Sequence, residues 1–472
     1  MRTLALWAVL IVYLGILLAI ASLSTRSQPT ASWQNYYLGN RTAGGLVLAM
    51  TLATSYTSAS SFIGGPGAAY QYGLVWVAIA LIQLPVAWLT LGVLGKKLAI
   101  LSRHYQAITI NQLLYARYQS RLLSTLTSVS LLIAFLAILT VQFIGASRLL
   151  ESALGLSYGT GLLIFGITVS LYTLIGGFQA VMLTDVLQGL IMLIGGVLLL
   201  AKVIGATGGL MPAIVKLQQI DPQLITPKGT GNLINLPMLG SFWVLVGFGT
   251  LGLPQTATSC MAYKDSRAMH QAMVVGSIIL GVFMLTMHLS GALGHALFPN
   301  LTAPDQIVPT LMTHLFSPVA AGLFLAAPLS AIMSTVDAQL LQCSATLIHD
   351  LYLPFTPQNA RSPQSLMRSA RPVTLICSLL VLWAAWHPPK LIIWLNLMAF
   401  GGLQVVFLWP LLLGLYWPKA NATGALFAFV IGLSSYLGLT ILSIKPWGFH
   451  PVVPALIGSL IAFMIGNRRQ AS

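Results

Sequence analysis

The chain has 472 residues, 57% of them hydrophobic and only 6% charged, with a mean hydropathy of +0.88. So few charges cannot clothe a soluble surface, which excludes a soluble globular protein and leaves an all-α polytopic membrane protein. The formal net charge of +15 would suit nucleic acid, but the basic residues stand singly or in small groups between apolar stretches, an orientation signal instead.

Apolar windows predict thirteen transmembrane helices, at roughly 3–24, 45–72, 74–101, 121–148, 158–177, 182–205, 240–260, 272–296, 317–350, 372–387, 391–416, 421–443 and 449–467. No interruption between them is large enough for a soluble domain. The first run, Leu4 to Leu23, follows a lone Arg2, is long enough to span and lacks an A-x-A-like cleavage site, so it reads as a helix rather than a signal peptide. An odd number of crossings puts the termini on opposite sides. With the N-terminus outside, fifteen of the 22 Lys and Arg are cytoplasmic, including Arg26, Lys96, Lys97, Arg361 and Arg469; seven are external, including Arg2 and Lys390. The positive-inside rule then gives N-out, C-in.

Span 2 reads LAMTLATSYTSASSFIGGPGAAY over 48–70. Thr54, Ser55, Thr57, Ser58, Ser60 and Ser61 crowd one stretch, and Gly64, Gly65, Pro66 and Gly67 then break the helix. Backbone that leaves the helix at membrane depth needs protein or a watery cavity as its partner. Freed carbonyls and hydroxyls suit a small hard cation such as Na⁺ beside a small solute. Five helices later, span 7 is interrupted by Gly247, Gly249, Gly252 and Pro254. Gly and Pro are common in membrane helices, but two interrupted spans in register fit an inverted five-helix repeat around a transport site.

The chain has seven acids. Asp185 opens span 6 and Asp337 lies within span 9, where a carboxylate faces a cavity or a partner. The plainer readings are a helix-start acid for Asp185 and a structural hydrogen bond for Asp337. Ser334, Thr335 and Asp337 occupy about one turn, and Ser334 and Asp337 share a face. Hydroxyls and a carboxylate beside freed carbonyls form an oxygen-only set, suited to hard cations and not to transition metals. His288 and His295 read as packing or interfacial residues. Of Trp243, Trp394 and Trp409, only Trp243 is expected near the site. Cys260, Cys343 and Cys377 are isolated and read as packed free thiols. No Walker A sequence occurs, which disfavours ATP-driven transport by this chain, and no nucleophile–base pair of an enzyme is discernible.

The blocks SASSFIGGPGAAYQYGL, VLGKKLAILSRHY, ARYQSRLL, TVQFIGASRLLE, GGFQAVMLTDVLQGL, FLAAPLSAIMST, IIWLNLMAFGGLQVVFLWPLLLGLYW and GFHPVVP carry a resemblance to the sodium/solute symporter family that runs nearly end to end. Within the family they look most like the branch that carries pantothenate. The resemblance implies a LeuT-like core of two inverted five-helix repeats, at about 45–205 and 240–416, with one helix before it (3–24) and two after it (421–467). It implies Na⁺ as the coupling ion, no organic cofactor, and a bacterial cytoplasmic membrane. The family's principal Na⁺ site carries over to the carbonyls of Thr54, Thr57 and Ala331 and the hydroxyls of Ser334 and Thr335. Asp185 matches an acid implicated in Na⁺ binding, and with Asp337 it would form a second ion site. Where this chain has Asp337, some relatives with a second site have a serine, so the number of ions per solute stays open. The solute pocket carries over to Tyr56, Ser58 and Ser61 of span 2, Phe248, Thr250 and Gln255 of span 7, and Gln404 of span 11. Symport of another small solute, such as proline or a short carboxylate, and a sensor or channel on the same fold are the alternatives.

Overall fold

The computed structural model describes residues 43–356, 363–388 and 392–468, with Arg41 and most of residues 7–20. Part of the expected first span, and Arg2, Arg26, Arg361, Lys390 and Arg469 of the orientation count, lie outside the described residues. In lipid each backbone group must be satisfied within its own segment, so a chain this apolar goes into helices. Among the described residues the sole bridge of strand type joins Ala43 to Tyr263.

From Gly45 onward the helices begin with α1 (Gly45–Tyr56) and α2 (Gly65–Tyr72), the two halves of expected span 2, which meet at 67° around a π-turn at Ser60–Gly64. Next come α3 (Leu74–His104), the short α4 (Ile110–Tyr118), α5 (Arg121–Leu154) and α6 (Tyr158–Ala206). An amphipathic α7 (Leu210–Ile220) leads to α8 (Leu236–Phe242) and α9 (Pro254–Ser259), which flank the interruption of span 7. Then follow α10 (Ser266–Gly294), α11 (Ile307–Leu315), α12 (Pro318–Ala345), α13 (Pro363–Ala384), α14 (Ile392–Tyr416), α15 (Ala422–Ile441) and α16 (Val452–Arg468). Among the described residues, seven helices and the bent α1–α2 pair are long and apolar enough to cross a membrane. Shorter apolar helices at 7–17, Tyr158–Leu171, Leu236–Gly252, Arg371–Ala384 and Val452–Arg468 fall where the sequence places the other spans.

One expectation changes. The sequence separates spans at 158–177 and 182–205, whereas the structure joins them in one 49-residue helix, α6. At 1.5 Å per residue that is about 73 Å of helix, far more than one crossing. The stretch between the two expected spans contains no proline, and its glycines alone do not end a helix. Both parts of α6 meet α12: Thr173 Oγ1 lies 2.6 Å from Asp337 Oδ1, and a Cβ on Gly195 would stand 2.9 Å from that of Ala327.

Small residues let the central helices approach closely. A Cβ on Gly291 of α10 would lie 2.3 Å from the Pro66 carbonyl oxygen, and one on Gly145 of α5 would lie 2.5 Å from Ala59 Cβ. On the expected cytoplasmic side, basic groups meet carbonyls rather than carboxylates. Arg117 donates to Gly414 O, Trp417 O and Pro418 O at 2.8–3.0 Å, Lys97 to Leu415 O at 2.8 Å, and Arg41 to Ser102 O and Ala107 O at 3.1 Å. At the opposite end the Pro304–Gln306 turn tucks Asp305 against α2 and the start of α14. Its Oδ2 accepts from Ile392 N–H at 3.4 Å, and a Cβ on Gly67 would stand 2.6 Å from Oδ1. Burial pushes the Asp305 carboxyl up to about 7, with the Ile392 N–H and the Arg148 charge pulling the other way.

Candidate functional site

The last carbonyls of a helix have no partner within it. At Thr57 the chain turns extended (φ −87°, ψ 132°), so α1 ends with its carbonyls facing a neighbour instead of a next turn. That neighbour is α12. Ser334 Oγ lies 3.3 Å from Thr54 O and 3.2 Å from Ala331 O, and Thr335 Oγ1 lies 3.0 Å from both Thr57 O and Ala331 O. The five oxygens named from the sequence are thus drawn into one buried cluster. The threonine hydroxyls of α1 stay out of it: Thr54 Oγ1 donates back to Met50 O at 2.9 Å and Thr57 Oγ1 to Ala53 O at 2.9 Å. Three carbonyls and two hydroxyls that can rotate their hydrogens outward form a neutral, all-oxygen set, the chemistry of a weakly charged hard cation.

Asp185 and Asp337 are both fully buried beside this cluster, near enough to feel each other's charge. Asp185 faces the side chains of Thr51 and Thr54, yet neither of its oxygens makes a hydrogen bond of ordinary geometry. Asp337 is tied to α6 through Thr173. The Thr173 hydroxyl has one hydrogen and two oxygens within reach, Asp337 Oδ1 at 2.6 Å and Val169 O at 2.8 Å. If that hydrogen goes to Val169, Asp337 must carry the proton of the short contact; if it goes to Asp337, the carboxylate can be ionised.

Next to the π-turn lies a narrow cavity of about 40 Å³, lined by Tyr56, Ser60, Ser61, Trp76, Gln83, Phe242, His288, Asn396 and Phe400 among others. A volume that small holds little more than a water molecule or two, so a solute enters only when the walls part. Tyr56 and Ser61, two of the residues expected at the solute pocket, line it. Ser58 instead bonds Ser60 Oγ at 2.8 Å and so steadies the turn. Phe248 is 40% exposed and faces Trp409. Thr250 gives its hydroxyl to Gly247 O at 2.5 Å, and Gln404 gives its amide to Leu245 O at 2.6 Å. Gln255 lies in a separate, very small polar cavity with Thr51, Ser55 and Gln339. These five are therefore not part of the cavity wall. Trp243 is exposed, whereas Trp76 and Trp394 pack edge-on 5.8 Å apart beside the cavity.

Sequence reasoning missed His288, Gln83 and Asn396. Each is one polar group in an apolar helix, a pattern that packing produces as readily as a site. His288 lies on the face of α10 that meets the glycine break, and that juxtaposition of two spans is the signal a single-span reading lacks. The three cysteines are buried and free.

The model of the sodium:solute symporter family matches residues 36–432. The chain is 56% identical over 460 residues to the sodium/pantothenate symporter of Escherichia coli, covering 97% of this chain and 95% of that protein. It is 54% identical over 433 residues to the sodium/pantothenate symporter of Haemophilus influenzae, covering 92% and 90%. In structure it resembles a substrate-bound, outward-open Na⁺-coupled sialic acid symporter, with a TM-score of 0.82 at 17% identity over 98% of this chain and 97% of that one. At such identity the likeness speaks for the fold alone, an all-α LeuT-like architecture.

Proposed function

The chain belongs to the sodium:solute symporter family, and we propose that it imports pantothenate with Na⁺ across a bacterial cytoplasmic membrane by alternating access. The observation that carries this reading is the gathering of Thr54 O, Thr57 O, Ala331 O, Ser334 Oγ and Thr335 Oγ1 where α1 breaks against α12. Na⁺ would take all five oxygens and turn the two hydroxyl hydrogens away. Ion binding would then fasten α12 to the broken span beside the solute cavity, and this shared element would couple the two cargoes. The N-terminus lies outside and the C-terminus in the cytoplasm, the inverted repeats cover about 45–205 and 240–416, and Asp185 with Asp337 forms a second cation or proton station.

One Na⁺ moving through 100 mV releases about 2.3 kcal/mol. Pantothenate is an anion and moves against the same potential, so accumulation draws on the Na⁺ concentration gradient or on a further cation at the aspartate pair. The direct test is uptake of labelled pantothenate into proteoliposomes with and without an inward Na⁺ gradient. The reading expects saturable uptake that needs the gradient; uptake indifferent to Na⁺, or current that never saturates with solute, would refute it.

The aspartate pair has its own assay. Asp337→Asn keeps the size and removes the charge. A second Na⁺ predicts a lower Hill coefficient for Na⁺ with unchanged pH dependence. A proton predicts lost pH dependence with Na⁺ cooperativity intact. Wild-type behaviour in both leaves Asp337 a structural partner of Thr173.

A further inference from the structure

His288 Nδ1 lies 2.8 Å from Met284 O. A carbonyl oxygen only accepts, so Nδ1 carries the hydrogen, and a ring with a single proton then presents Nε2 as an acceptor. Nε2 is aimed at the end of the π-turn, where a Cβ on Gly65 would stand 2.2 Å from it. At the turn's other end, Asn396 of α14 donates from Nδ2 to Ser60 Oγ at 3.1 Å, and its Oδ1 is buried without a partner. Both residues line the cavity and both are almost fully buried, His288 at 3% and Asn396 at 2% exposure. The rest of that wall is apolar at Trp76, Ile79, Ile393, Leu397 and Phe400, with Tyr56, Ser60, Ser61 and Gln83 as its further polar members.

We propose that His288 Nε2 and Asn396 Oδ1 are the acceptors through which this cavity reads a solute's donor groups, selecting solutes that bear hydroxyl or amide N–H groups beside an aliphatic body. The assignment rests on the reading of the chain as a solute symporter. A buried acceptor with no donor is costly to leave unmet, and a site built around such acceptors rejects an analogue that lacks the matching donor. Because the two acceptors sit at opposite ends of one π-turn, a solute held by both would also draw α2 toward α10 and α14. Recognition and closure of the outer half of the broken span would then be one event.

The test is equilibrium binding to the purified full-length protein in Na⁺, with pantothenate and analogues that lack each hydroxyl in turn or carry an N-methyl amide. In the wild type, removal of at least one donor should weaken binding about tenfold. His288→Phe or Asn396→Leu should weaken pantothenate by a similar factor and bind that analogue and the parent equally. His288→Gln, which keeps an acceptor, should recover part of the discrimination. Na⁺-induced change in tryptophan fluorescence reports which variants are folded. If neither acceptor variant folds, the analogue series on the wild type decides, and equal binding of all analogues overturns the proposal. Discrimination that survives in both His288→Phe and Asn396→Leu overturns it as well. Wild-type protein that binds no pantothenate removes the solute assignment and this inference with it, an outcome distinct from binding without discrimination.

Discussion

In the first interrupted span, the carbonyls of Thr54 and Thr57 are met by two adjacent hydroxyls of one neighbour, Ser334 and Thr335, which share Ala331 O between them. In the second, the freed carbonyls are met from scattered directions: Leu245 O by Gln404 of α14, Val246 O by Tyr56 of α1, Gly247 O by Thr250 and Thr250 O by Thr256 of the same span. Converging caps leave a cage whose oxygens can be turned to an ion. Scattered caps act as separate struts. Two breaks that look alike as strings of glycine and proline therefore differ in kind, and the neighbour decides which. The glycines do not share the contrast: those of both breaks allow close packing, since a Cβ on Gly65 would lie 2.2 Å from His288 Nε2 and one on Gly249 2.5 Å from Gln404 Oε1.

The contrast breaks most sharply at the cage. Ser334→Ala and Thr335→Ala should each raise the Na⁺ concentration for half-maximal uptake by about tenfold or more, the loss of roughly 1.4 kcal/mol or more of ion binding. Thr250→Ala, the matching deletion in the second break, should leave that concentration unchanged. Equal effects at both breaks would erase the distinction. Ser61→Leu fills the cavity beside the first break, so measured solute affinity should fall about tenfold while Na⁺ affinity holds. An unchanged solute affinity would take Ser61 out of the wall. Gly249→Ala overpacks the second break and should cost about 1–3 kcal/mol of stability, read as a lower melting temperature with Na⁺ dependence intact. A shifted Na⁺ dependence there would mean that the second break also feels the ion.

The last test concerns Asp305, which packs on α2, the second half of the first break. Its carboxyl is raised from 3.8 to about 7 in the folded protein. The folded state thus holds the proton more tightly than the unfolded chain. This contribution to stability is complete below about pH 4 and is lost as pH rises through about 7, at no more than about 1.4 kcal/mol per unit. Melting temperature should therefore fall between pH 5 and pH 8, and Asp305→Asn should flatten that slope. The charge facing Asp305 is Arg148, itself 3.4 Å from Glu151, so Glu151→Gln should shift the midpoint rather than abolish it.

Much of the architecture is legible in composition and punctuation. The break itself is legible in the hydroxyls and glycines of span 2, while the set of Thr54, Thr57, Ala331, Ser334 and Thr335 comes from the family resemblance, and the folded chain brings those five oxygens together. The pocket is less legible. Phe248, Thr250 and Gln404 lie on spans that reach the centre, but helix rotation decides which faces show, and a one-residue change of about 100° turns a side chain away. Thr250 and Gln404 are consumed by the backbone of the second break, a demand that appears only when the carbonyls need caps. The join at α6 went unread for a related reason. The sequence marks where apolar runs pause, and a pause without proline leaves the helix free to continue.

The bonds of Arg117 have a mechanical meaning. Its guanidinium holds Gly414, Trp417 and Pro418 at the end of α14, Tyr118 beside it reaches Pro410 O at 2.7 Å, and Lys97 at the end of α3 holds Leu415 O. The consecutive helices α3 and α4 are riveted to the distant α14 as one plate through backbone acceptors. Peptide oxygens do not titrate, so these bonds hold as pH changes. A hinge for opening at this end of the bundle must then lie outside it, and the joined ends of α3, α4 and α14 travel as a single body.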